Sequence, residues 1–282
     1  MWIREQSGGH SKIIFIGKPS SMPEDYELII YSAEHQFPVL PNLQPITLPL
    51  MRVDEAQVAA AANEWEARLA DLHRPLTAFL VGGPTGPFLF NAKAARRLQA
   101  TIRQVIAETG GTAYITTSRR TPPAVVEALQ SDLPAAARLF TWSADASDNP
   151  YRALLGLADG FVVTGDSMSM MVEVVRLRKP LAILGLPVGA VGSVDLLRRS
   201  LTRWLFDPRS HGPLDRLRQA AGRALYRLRI LTHTRDFVAF HNMLVARGLA
   251  VHAGEPLRAP VGEVPDDLAI AVQRIVALAG DT

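Results

Sequence analysis

The sequence predicts an α/β protein built on parallel β-sheets, and three observations carry that prediction. Short apolar runs alternate with helix-forming segments over residues 76–184, which is the rhythm of strand–helix–strand units. Apolar residues make up 48% of the chain and charged residues 20%, which is the composition of a folded protein with a sizeable core. The length of 282 residues suits two lobes or one large α/β domain.

The first 73 residues are expected to form short strands and turns followed by one helix. Lys12–Gly17 and Glu27–Tyr31 are isoleucine-rich runs typical of buried strands. Proline-rich turns separate the strands, and the closely spaced prolines are Pro38, Pro41, Pro45 and Pro49. Asp54 is then placed to cap a helix that continues to about Leu72, in an alanine-rich stretch that favours helix.

The next segment alternates between strands and helices, which predicts one parallel sheet with helices on both faces. The predicted strands are Leu76–Val81, Thr112–Thr117, Arg138–Trp142, Gly160–Thr164 and Leu181–Leu184. The predicted helices are Asn91–Thr109, Pro122–Gln130, Asn149–Ala158 and Ser167–Arg176. Gly110-Gly111 is placed to end the first of these helices, and the crossovers are expected to be right-handed.

After Gly185 the pattern becomes helical and rich in arginine. The predicted helices are Val194–Phe206, Leu214–Leu231, Asp236–Arg247 and Asp266–Ala279, with a Pro- and Gly-rich linker at Glu255–Pro265. The arginines of the first two helices are Arg198, Arg199, Arg203, Arg216, Arg218, Arg223, Arg227 and Arg229. This composition suits a surface for a protein partner or an anionic membrane. A helical hairpin packed on the body, with its arginines in water, explains it as well.

Composition excludes several classes of protein. The chain has no cysteine, so it holds no disulfide, zinc ribbon, iron–sulfur cluster or cysteine nucleophile. No apolar run reaches the roughly 18–20 residues that span a bilayer, and the N-terminus lacks the apolar core of a secretory signal. We therefore expect a cytoplasmic protein, with peripheral attachment to a membrane left open. A net charge of +3 does not indicate nucleic acid, and no carboxylate cluster indicates a metal or other cofactor.

Three loops at predicted strand ends carry residues suited to binding an anion. The first loop contains Gly82, Gly83 and Thr85. Glycines let backbone amides approach a phosphate closely, and a helix follows soon after. The segment is neither a Walker A loop nor a GxGxxG motif. A tight turn between a strand and a helix requires the same glycines, so this alternative stays open.

The second loop contains Ser118, Arg119 and Arg120, whose hydroxyl and guanidinium groups suit a phosphate or a uronate. The alternative is that Thr121 caps the next helix and the two arginines are solvated. Because ligands of open parallel sheets bind at the carboxyl ends of the strands, this loop and the first are expected at the same edge.

The third loop contains Asp166, Ser167 and Ser169 at the start of a predicted helix, with Glu173 about one and a half turns further. The first amides of a helix have no partner within it and attract an anion, and the glutamate is spaced to accept hydrogen bonds from a ribose. Ordinary helix capping and a solvated glutamate explain the same residues. Three such loops at strand ends of one sheet favour a shared site over three separate coincidences.

The chain resembles the elongated-mitochondria (mitochondrial fission) family, whose plant members take part in mitochondrial fission. The matching segments are SGGHSKIIFIGKP, NLQPITLPLMRV, LVGGPTGPF, TTSRRTP, NPYRALLGLADGFVVTGDSMSMMVE and FVAFHNMLVARGLA. The pair VGGPTGPF and TGDSMSMMVEVVRLRKPLAIL also resembles the donor-binding half of GT-B glycosyltransferases. The resemblance implies a GT-B-like α/β fold with two Rossmann-like lobes. It also implies an incomplete N-terminal lobe, because the family begins with a strand and a helix ahead of the first segment.

The resemblance further implies a domain division and a ligand. Residues 1–73 would form a partial N-terminal lobe, and 74–254 a donor-binding lobe with an arginine-rich insertion at about 190–232. Residues 255–282 would be a linker and a helix that returns to the first lobe. The ligand would be a nucleotide-diphosphate sugar. Its diphosphate would face Gly82, Gly83 and Thr85, and its nucleotide would lie beside Ser118 and Arg119. Asp166, Ser167 and Ser169 would cap the protein helix that binds the phosphate. Glu173 would bind the ribose.

The leading hypothesis is a protein that binds a nucleotide-diphosphate sugar and, if active, is a metal-independent glycosyltransferase. Backbone amides and Arg119 or Arg120 would neutralise the leaving diphosphate, and the catalytic residues stay unassigned. The alternative is a non-catalytic adaptor that recruits a protein partner or membrane through residues 194–231. An NAD-dependent epimerase is disfavoured because the chain has no GxGxxG motif and no Tyr-x-x-x-Lys.

The seven histidines give no metal site by spacing. His35, near a loop of the first lobe, is the one weak candidate for a general base. His241 lies on a predicted helix that follows the sheet, which brings it toward the candidate site or buries it in packing. The other histidines, His211 and His233 among them, are scattered along the chain.

Overall fold

A computed structural model of the chain describes residues 2–19, 22–146, 148–207, 212–231 and 235–280. By its internal contacts the chain divides into two units. Unit 1 contains Met1–Leu50, Val194–Phe240 and Pro265–Thr282, and unit 2 contains Met51–Ser193 and His241–Val264. This division places the arginine-rich segment with the N-terminal residues, whereas the sequence predicts it as an insertion in the second lobe.

The strands and helices follow one another along the chain in this order. They are α1 Trp2–Gln6, β1 Ile14–Ile16, β2 Leu28–Ser32, β3 Leu43–Ile46, α2 Glu55–Leu69, β4 Leu76–Val81, α3 Ala92–Thr109, β5 Thr112–Thr117, α4 Pro123–Ser131, β6 Ala137–Phe140, α5 Tyr151–Leu157, β7 Gly160–Thr164, α6 Met168–Arg176, β8 Leu181–Leu184, α7 Ala190–Phe206, α8 Pro213–Arg227, α9 Phe237–Ala246, β9 Val251–His252 and α10 Asp267–Gly280. A single 3-10 turn, Pro23–Asp25, precedes β2.

Unit 1 is organised around a three-stranded parallel sheet in the order β1-β2-β3. Successive side chains of β2 point to opposite faces of the sheet, as in any strand. Ile29 packs on one face with residues of α7 and α8, and Leu28 and Ile30 pack on the other face with Ala271 of α10. Because side chains from helices pack on both faces of β2, both faces are covered, which accounts for its apolar run.

Unit 2 is organised around a six-stranded parallel sheet in the order β6-β5-β4-β7-β8-β9. The chain builds outward from β4 to β5 and β6 on one side, then returns to β4 and builds outward from β7 to β9 on the other. This is the arrangement of a doubly wound sheet, with a reversal of strand order between β4 and β7. The central strand β4 is buried at all six positions, which accounts for its continuous apolar sequence.

The parallel α/β class predicted from the sequence is confirmed. Four strands of the large sheet, β4, β5, β7 and β8, have the predicted bounds. The helix signals also hold: Asp54 accepts a hydrogen bond from the amide of Gln57, and Asn91 caps α3 in the same way. Gly110 ends α3 with φ at 68°, a conformation that costs a residue with a side chain about 1 kcal/mol.

Three short elements escape the sequence analysis. Strand β3 contains Pro45, inside the proline-rich stretch that the sequence assigns to turns. Proline is tolerated there because β3 lies at the edge of its sheet, where no neighbour needs the missing amide on the outer side. Strand β9 has two residues and helix α1 has five, so neither is long enough to show a period.

Asp267 joins α10 to the strand end of β3, and its removal is expected to destabilise unit 1. Its fully buried carboxylate accepts hydrogen bonds from the amides of Thr47 and Leu48, at 2.6 and 2.8 Å. Asp267→Ala leaves both amides unsatisfied and should lower the free energy of unfolding by about 2–4 kcal/mol in urea denaturation. Leu268→Ala, at an exposed neighbouring position, should change it by less than about 1 kcal/mol. Equal effects of the two substitutions would contradict this role.

Candidate functional site

The candidate site of unit 2 lies where the strand order of its sheet reverses. Strands β4 and β7 are neighbours in the sheet. After β4 the chain continues to β5 on one side of the pair, and after β7 it continues to β8 on the other side. At this point the two loops after the strands diverge and leave a crevice, the usual place of ligands in doubly wound sheets. The first and third predicted loops are the loops after β4 and β7.

The amides of the glycine loop are held by side chains of the neighbouring strand. The Gly82 amide donates to Thr164 Oγ1 at 2.8 Å, and the Gly83 amide donates to Asp166 Oδ2 at 2.7 Å. A Cβ atom at Gly82 would lie 2.0 Å from Asp166 Oδ2, and one at Gly83 2.3 Å from the Arg120 carbonyl oxygen. The glycines therefore permit close packing between loops. Both amides therefore have partners inside the protein, and the expectation that Gly82 and Gly83 face a diphosphate stays a prediction.

Asp166 is the buried centre of this arrangement. The residue is 3% exposed, and burial raises the pKa of its carboxyl group, opposed by the hydrogen bonds from Thr164 and Gly83 and by the charge of Arg120. Among the described residues its Oδ1 atom has no hydrogen-bond partner. The sequence resemblance implied that Asp166 would cap α6, but its carboxylate contacts the glycine loop and the N-cap position belongs to Ser167.

The N-terminus of α6 is left without a side-chain cap. Ser167 occupies the N-cap position, but its hydroxyl makes no capping hydrogen bond to the described residues. The first hydrogen bond across this turn runs from the amide of Met171 to the Ser167 carbonyl, at 3.3 Å. The amides of Met168, Ser169 and Met170 precede it, and they carry the positive end of the helix dipole. This helix end is suited to an anion.

The arginine loop is tied to the glycine loop by Thr121. The Thr121 hydroxyl accepts the Ser118 amide at 2.9 Å and donates to the Gly82 carbonyl at 2.6 Å. Arg120 Nη1 donates to Thr85 Oγ1 at 3.0 Å, and its Nη2 lies 3.9 Å from Asp166 Oδ2. Thr121 therefore holds two loops together, and the N-cap of α4 is Pro122, not Thr121.

These loops border an open cleft of about 270 Å³. Its lining residues are Ser118, Arg119, Arg120, Trp142, Ser167, Ser169 and Met170. The cleft combines two guanidinium groups, three hydroxyls, the start of α6 and one indole ring. Chemically, this is a surface for a phosphate group beside a planar ring.

The structure brings five of the ten predicted site residues together in this cleft: Ser118, Arg119, Arg120, Ser167 and Ser169. Gly82, Gly83 and Asp166 lie beneath it as supports, and Thr85 contacts Arg120 from the side. Glu173 is not among the lining residues. It accepts a hydrogen bond from the Tyr151 hydroxyl, so the carboxylate assigned to a ribose already has a partner inside the protein.

Trp142 is the main residue that the sequence analysis missed. It lies two residues beyond β6, and its amide donates to Thr117 Oγ1 at 2.8 Å. The sequence predicts Trp142 as the last residue of a strand, so the rule that ligands bind at strand ends was enough to nominate it. Thr121 and Thr164 could not be nominated, since only the folded loops show what their hydroxyls contact.

Unit 1 has a cleft of its own, of about 280 Å³, and His35 lines it together with Gln36, Arg203 and Asp236. Gln36 Nε2 donates to the Arg199 carbonyl at 2.8 Å and to Asp236 Oδ2 at 2.9 Å. Burial and the charges of Arg235 and Lys18 lower the pKa of His35 to about 4. The imidazole is therefore neutral at physiological pH, as a general base must be.

His241 does approach the third loop of unit 2. Its ring stacks on Phe88, with 6.2 Å between the ring centroids and 13° between the planes. A Cβ atom at Gly165 would lie 3.0 Å from His241 Cε1, so the histidine packs directly against the turn before α6. His211 and His233 lie outside the described residues. No group of three or more histidine or carboxylate side chains in the described ranges could hold a metal ion.

Comparison with known sequences identifies the family. The sequence model of the family described as Mitochondrial fission ELM1 matches residues 1–228. The chain belongs to this family. Mitochondrial fission protein ELM1 of Arabidopsis thaliana is 29% identical over 167 residues, which are 59% of this chain and 35% of the plant protein. Uncharacterized protein RP120 of Rickettsia prowazekii (strain Madrid E) is 28% identical over 153 residues, which are 54% of this chain and 43% of RP120.

This ELM1-family chain thus spans well under half the length of the curated relatives it matches. The resemblance predicted from the six sequence segments is confirmed at the level of the family.

Solved structures similar to this ELM1-family chain include glycosyltransferases, the class that the sequence resemblance named. Heptosyltransferase II of E. coli is 16% identical and covers 65% of this chain and 64% of its own, with a TM-score of 0.38. A glycosyltransferase of Rickettsia africae is 10% identical and covers 86% and 72%, with a TM-score of 0.36. UGT71G1 of Medicago truncatula, complexed with UDP-glucose, is 10% identical and covers 79% and 54%, with a TM-score of 0.32.

None of the helices in the described part of the chain combines the length and the apolar character that crossing a bilayer requires.

The lowered pKa of His35 predicts a specific pH dependence of stability. Because its folded pKa of about 4 lies below the usual 6.5, the unfolded chain takes up the proton first as pH falls. The free energy of unfolding should therefore fall between pH 6.5 and pH 4, by at most about 1.4 kcal/mol per pH unit from this group. His35→Asn should remove this slope. Urea denaturation across the range measures it, and identical slopes in both proteins would contradict the assignment.

Proposed function

We propose that unit 2 binds the diphosphate of a nucleotide-diphosphate sugar in the cleft beside α6. The observation that supports this most directly is the uncapped N-terminus of α6, which faces the same cleft as Arg119 and Arg120. In this proposal the amides of Ser169 and Met170 bind one phosphate, and the two guanidinium groups bind the other.

Charge in the cleft favours an anionic ligand. Arg119 is exposed, and it makes no ion pair or hydrogen bond with the described part of the chain. Arg120 has Thr85 as its hydrogen-bond partner, and its side chain is 51% exposed. Asp166, whose Oδ2 lies 3.9 Å from Arg120 Nη2, is buried and already accepts the Gly83 amide. Two cations with little local compensation are suited to a group that carries two or three negative charges.

The size of the cleft fits part of a nucleotide sugar. At about 270 Å³ it lies at the lower end of the range for small-molecule sites, which is roughly 300–1,000 Å³. We expect it to hold the diphosphate and one ring. Trp142 would supply the stacking face for that ring, since it is half-buried and lines the same cleft. Ser118, Ser167 and Ser169 would hydrogen-bond phosphate oxygens.

Sugar transfer is a second step in this proposal. Amides and guanidinium groups arranged around a diphosphate would stabilise it as a leaving group without a metal ion. Such a site works by positioning and charge neutralisation, and a base from elsewhere would have to activate the acceptor. The family is described by a role in mitochondrial fission, and this description supports neither sugar transfer nor a particular sugar. Binding and transfer are therefore tested separately.

Calorimetric titration with UDP, GDP and their hexose conjugates tests the binding step. We expect binding by a nucleoside diphosphate and weaker binding by the corresponding monophosphate, because the second phosphate adds contacts with the arginines. No heat of binding from any of these compounds at millimolar concentration would remove the proposal. Release of free sugar or its transfer to an added acceptor tests the catalytic step in the same samples.

Arg119→Ala is expected to weaken diphosphate binding by about tenfold or more. The loss corresponds to one hydrogen bond to a charged group, about 1.5–3 kcal/mol. Arg96→Ala is the matched control, since Arg96 is exposed on α3 of the same unit and does not line the cleft. It removes the same charge and should change affinity by less than about twofold. Equal effects of the two substitutions would mean that only net charge matters, and the assigned contact would be wrong.

A further inference from the structure

Helices α7 and α8 expose regularly spaced apolar side chains within unit 1. On α7 the spacing is i, i+3, i+7 and i+10, and the residues are Val194, Leu197, Leu201 and Trp204, which are 67%, 72%, 50% and 58% exposed. On α8 the residues are Leu214, Leu217 and Leu228, which are 80%, 69% and 69% exposed, with exposed Ala221 and Ala224 between them at the same spacing. Such spacing keeps side chains on one side of a helix. We call these seven large side chains the apolar stripe.

The apolar stripe is distinct from the faces by which these helices pack. Leu205 and Phe206 of α7 and Tyr226 of α8 belong to the buried cluster around Ile29 of the small sheet. Phe206 and Tyr226 contact each other edge to face, with 6.0 Å between their ring centroids. Each helix therefore has one apolar face that packs in the core of unit 1 and a second line of apolar side chains that is exposed.

Positive charge is concentrated on the same segment. Residues 194–231 contain nine arginines and three aspartates, a net charge of +6, so the remainder of the chain carries −3. The arginines with carboxylate partners are Arg198, Arg199, Arg203, Arg218 and Arg227. Arg216, Arg223 and Arg229 have no such partner in the described part of the chain. These three are available to a negatively charged surface.

Helices α7 and α8, which carry the apolar stripe, contact each other through Trp204 and Arg218. The guanidinium carbon of Arg218 lies 5.5 Å from the centroid of the Trp204 ring, and its Nη1 donates to the Trp204 carbonyl at 2.5 Å. Trp204, the last residue of the stripe on α7, is thereby held beside α8. The indole stays more than half exposed, in the position of an interfacial aromatic anchor.

We propose that the apolar stripe and its flanking arginines form a docking surface for an anionic lipid bilayer. Leucine, valine and tryptophan side chains would enter the boundary between headgroups and acyl chains, and the arginines would contact lipid phosphates. An amphipathic helix that lies in the interface with its apolar line toward the lipid needs no membrane-spanning segment. Each arginine near such a surface strengthens binding by about fivefold at moderate ionic strength.

Charge decides between the bilayer and a second copy of the chain. Self-association through this surface would bring two segments of +6 together, which repels them. An anionic bilayer supplies both the apolar interior and the opposite charge over an extended plane. Helix α10 provides the comparison: Leu268, Val272 and Val276 are also exposed in a line, but the neighbouring charges are Asp266, Asp267 and Arg274. Its apolar line without excess positive charge should not bind anionic lipid.

Vesicle sedimentation with the whole chain tests the proposal. The probes are phosphatidylcholine vesicles and vesicles that also contain phosphatidylglycerol, at low and high salt. We expect binding to the anionic vesicles, weakened by salt, and little binding to the neutral ones. The double substitution Leu197→Glu and Leu217→Glu should reduce vesicle affinity by at least about tenfold, because two apolar side chains are lost from the contact and two charges oppose it.

Val276→Glu is the matched control, since it places the same charge at an exposed apolar position of the same unit. It should leave vesicle affinity within about twofold. The double substitution Arg216→Gln and Arg223→Gln should weaken binding to anionic vesicles while leaving the apolar stripe intact. All changed positions are exposed or half-buried on helix surfaces, so circular dichroism and thermal unfolding should show that each variant folds.

Three outcomes would overturn the proposal. One is the absence of vesicle binding, or equal binding to neutral and anionic vesicles. Another is an equal loss of binding in the Val276→Glu and stripe variants, which would mean that the surface is not specific. The third is concentration-dependent self-association in sedimentation velocity that the stripe substitutions abolish, which would assign the surface to a second copy of the chain.

Discussion

The carboxylate of Asp166 and the hydroxyl of Thr164 accept the two glycine amides that follow β4, and the geometry of the candidate site depends on these hydrogen bonds. They leave Asp166 buried against the glycine loop, so it cannot cap the helix that begins two residues later. Ser167, the N-cap residue, makes no capping hydrogen bond to the described residues either, so the N-terminus of α6 has no side-chain cap where it borders the cleft. Asp166 thus fixes the glycine loop, and the uncapped helix end that follows it in the chain is suited to an anion.

The strand order of the large sheet determines where the candidate site lies. Because β4 and β7 are neighbours at the reversal of a doubly wound sheet, the loops after them diverge around a crevice. Strand β5 adds the arginine loop on the same edge, and Thr121 joins that loop to the glycine loop through the Gly82 carbonyl. The site is therefore a consequence of parallel topology together with a few side-chain hydrogen bonds that set the spacing of the loops.

Much of the large sheet could be predicted from the sequence, because its strands are buried on both faces and bounded by strong helix and turn signals. Asn91 and Gly110 mark the two ends of α3 directly. Pro45 misled the prediction of β3, since the rule against proline in strands does not apply at a sheet edge. The grouping of residues 194–240 with the N-terminal segment was also out of reach, because chain order does not show which unit an amphipathic helix covers.

The residue types at the candidate site were predictable, but their roles were less so. Ser118, Arg119 and Ser167 line the cleft as strand-end residues should. The glycine amides and Glu173 have hydrogen-bond partners inside the protein. Sequence spacing cannot show that Thr164 bonds to the Gly82 amide or that Tyr151 bonds to Glu173. A polar residue at a strand end is therefore a good indicator of the edge where a site lies. It is a poor indicator of whether that side chain contacts the ligand or supports the loop beneath it.

Residue-resolved amide hydrogen exchange, measured by NMR with and without UDP, tests the central claim most directly. We expect the amides of Gly82 and Gly83 to be protected in the free protein, because both are buried and hydrogen-bonded. The amides of Ser169 and Met170 should exchange rapidly in the free protein and slow down when UDP binds. Rapid exchange at the two glycines that UDP suppresses, with no change at the start of α6, would mean that the glycine amides, and not the helix end, contact the phosphates.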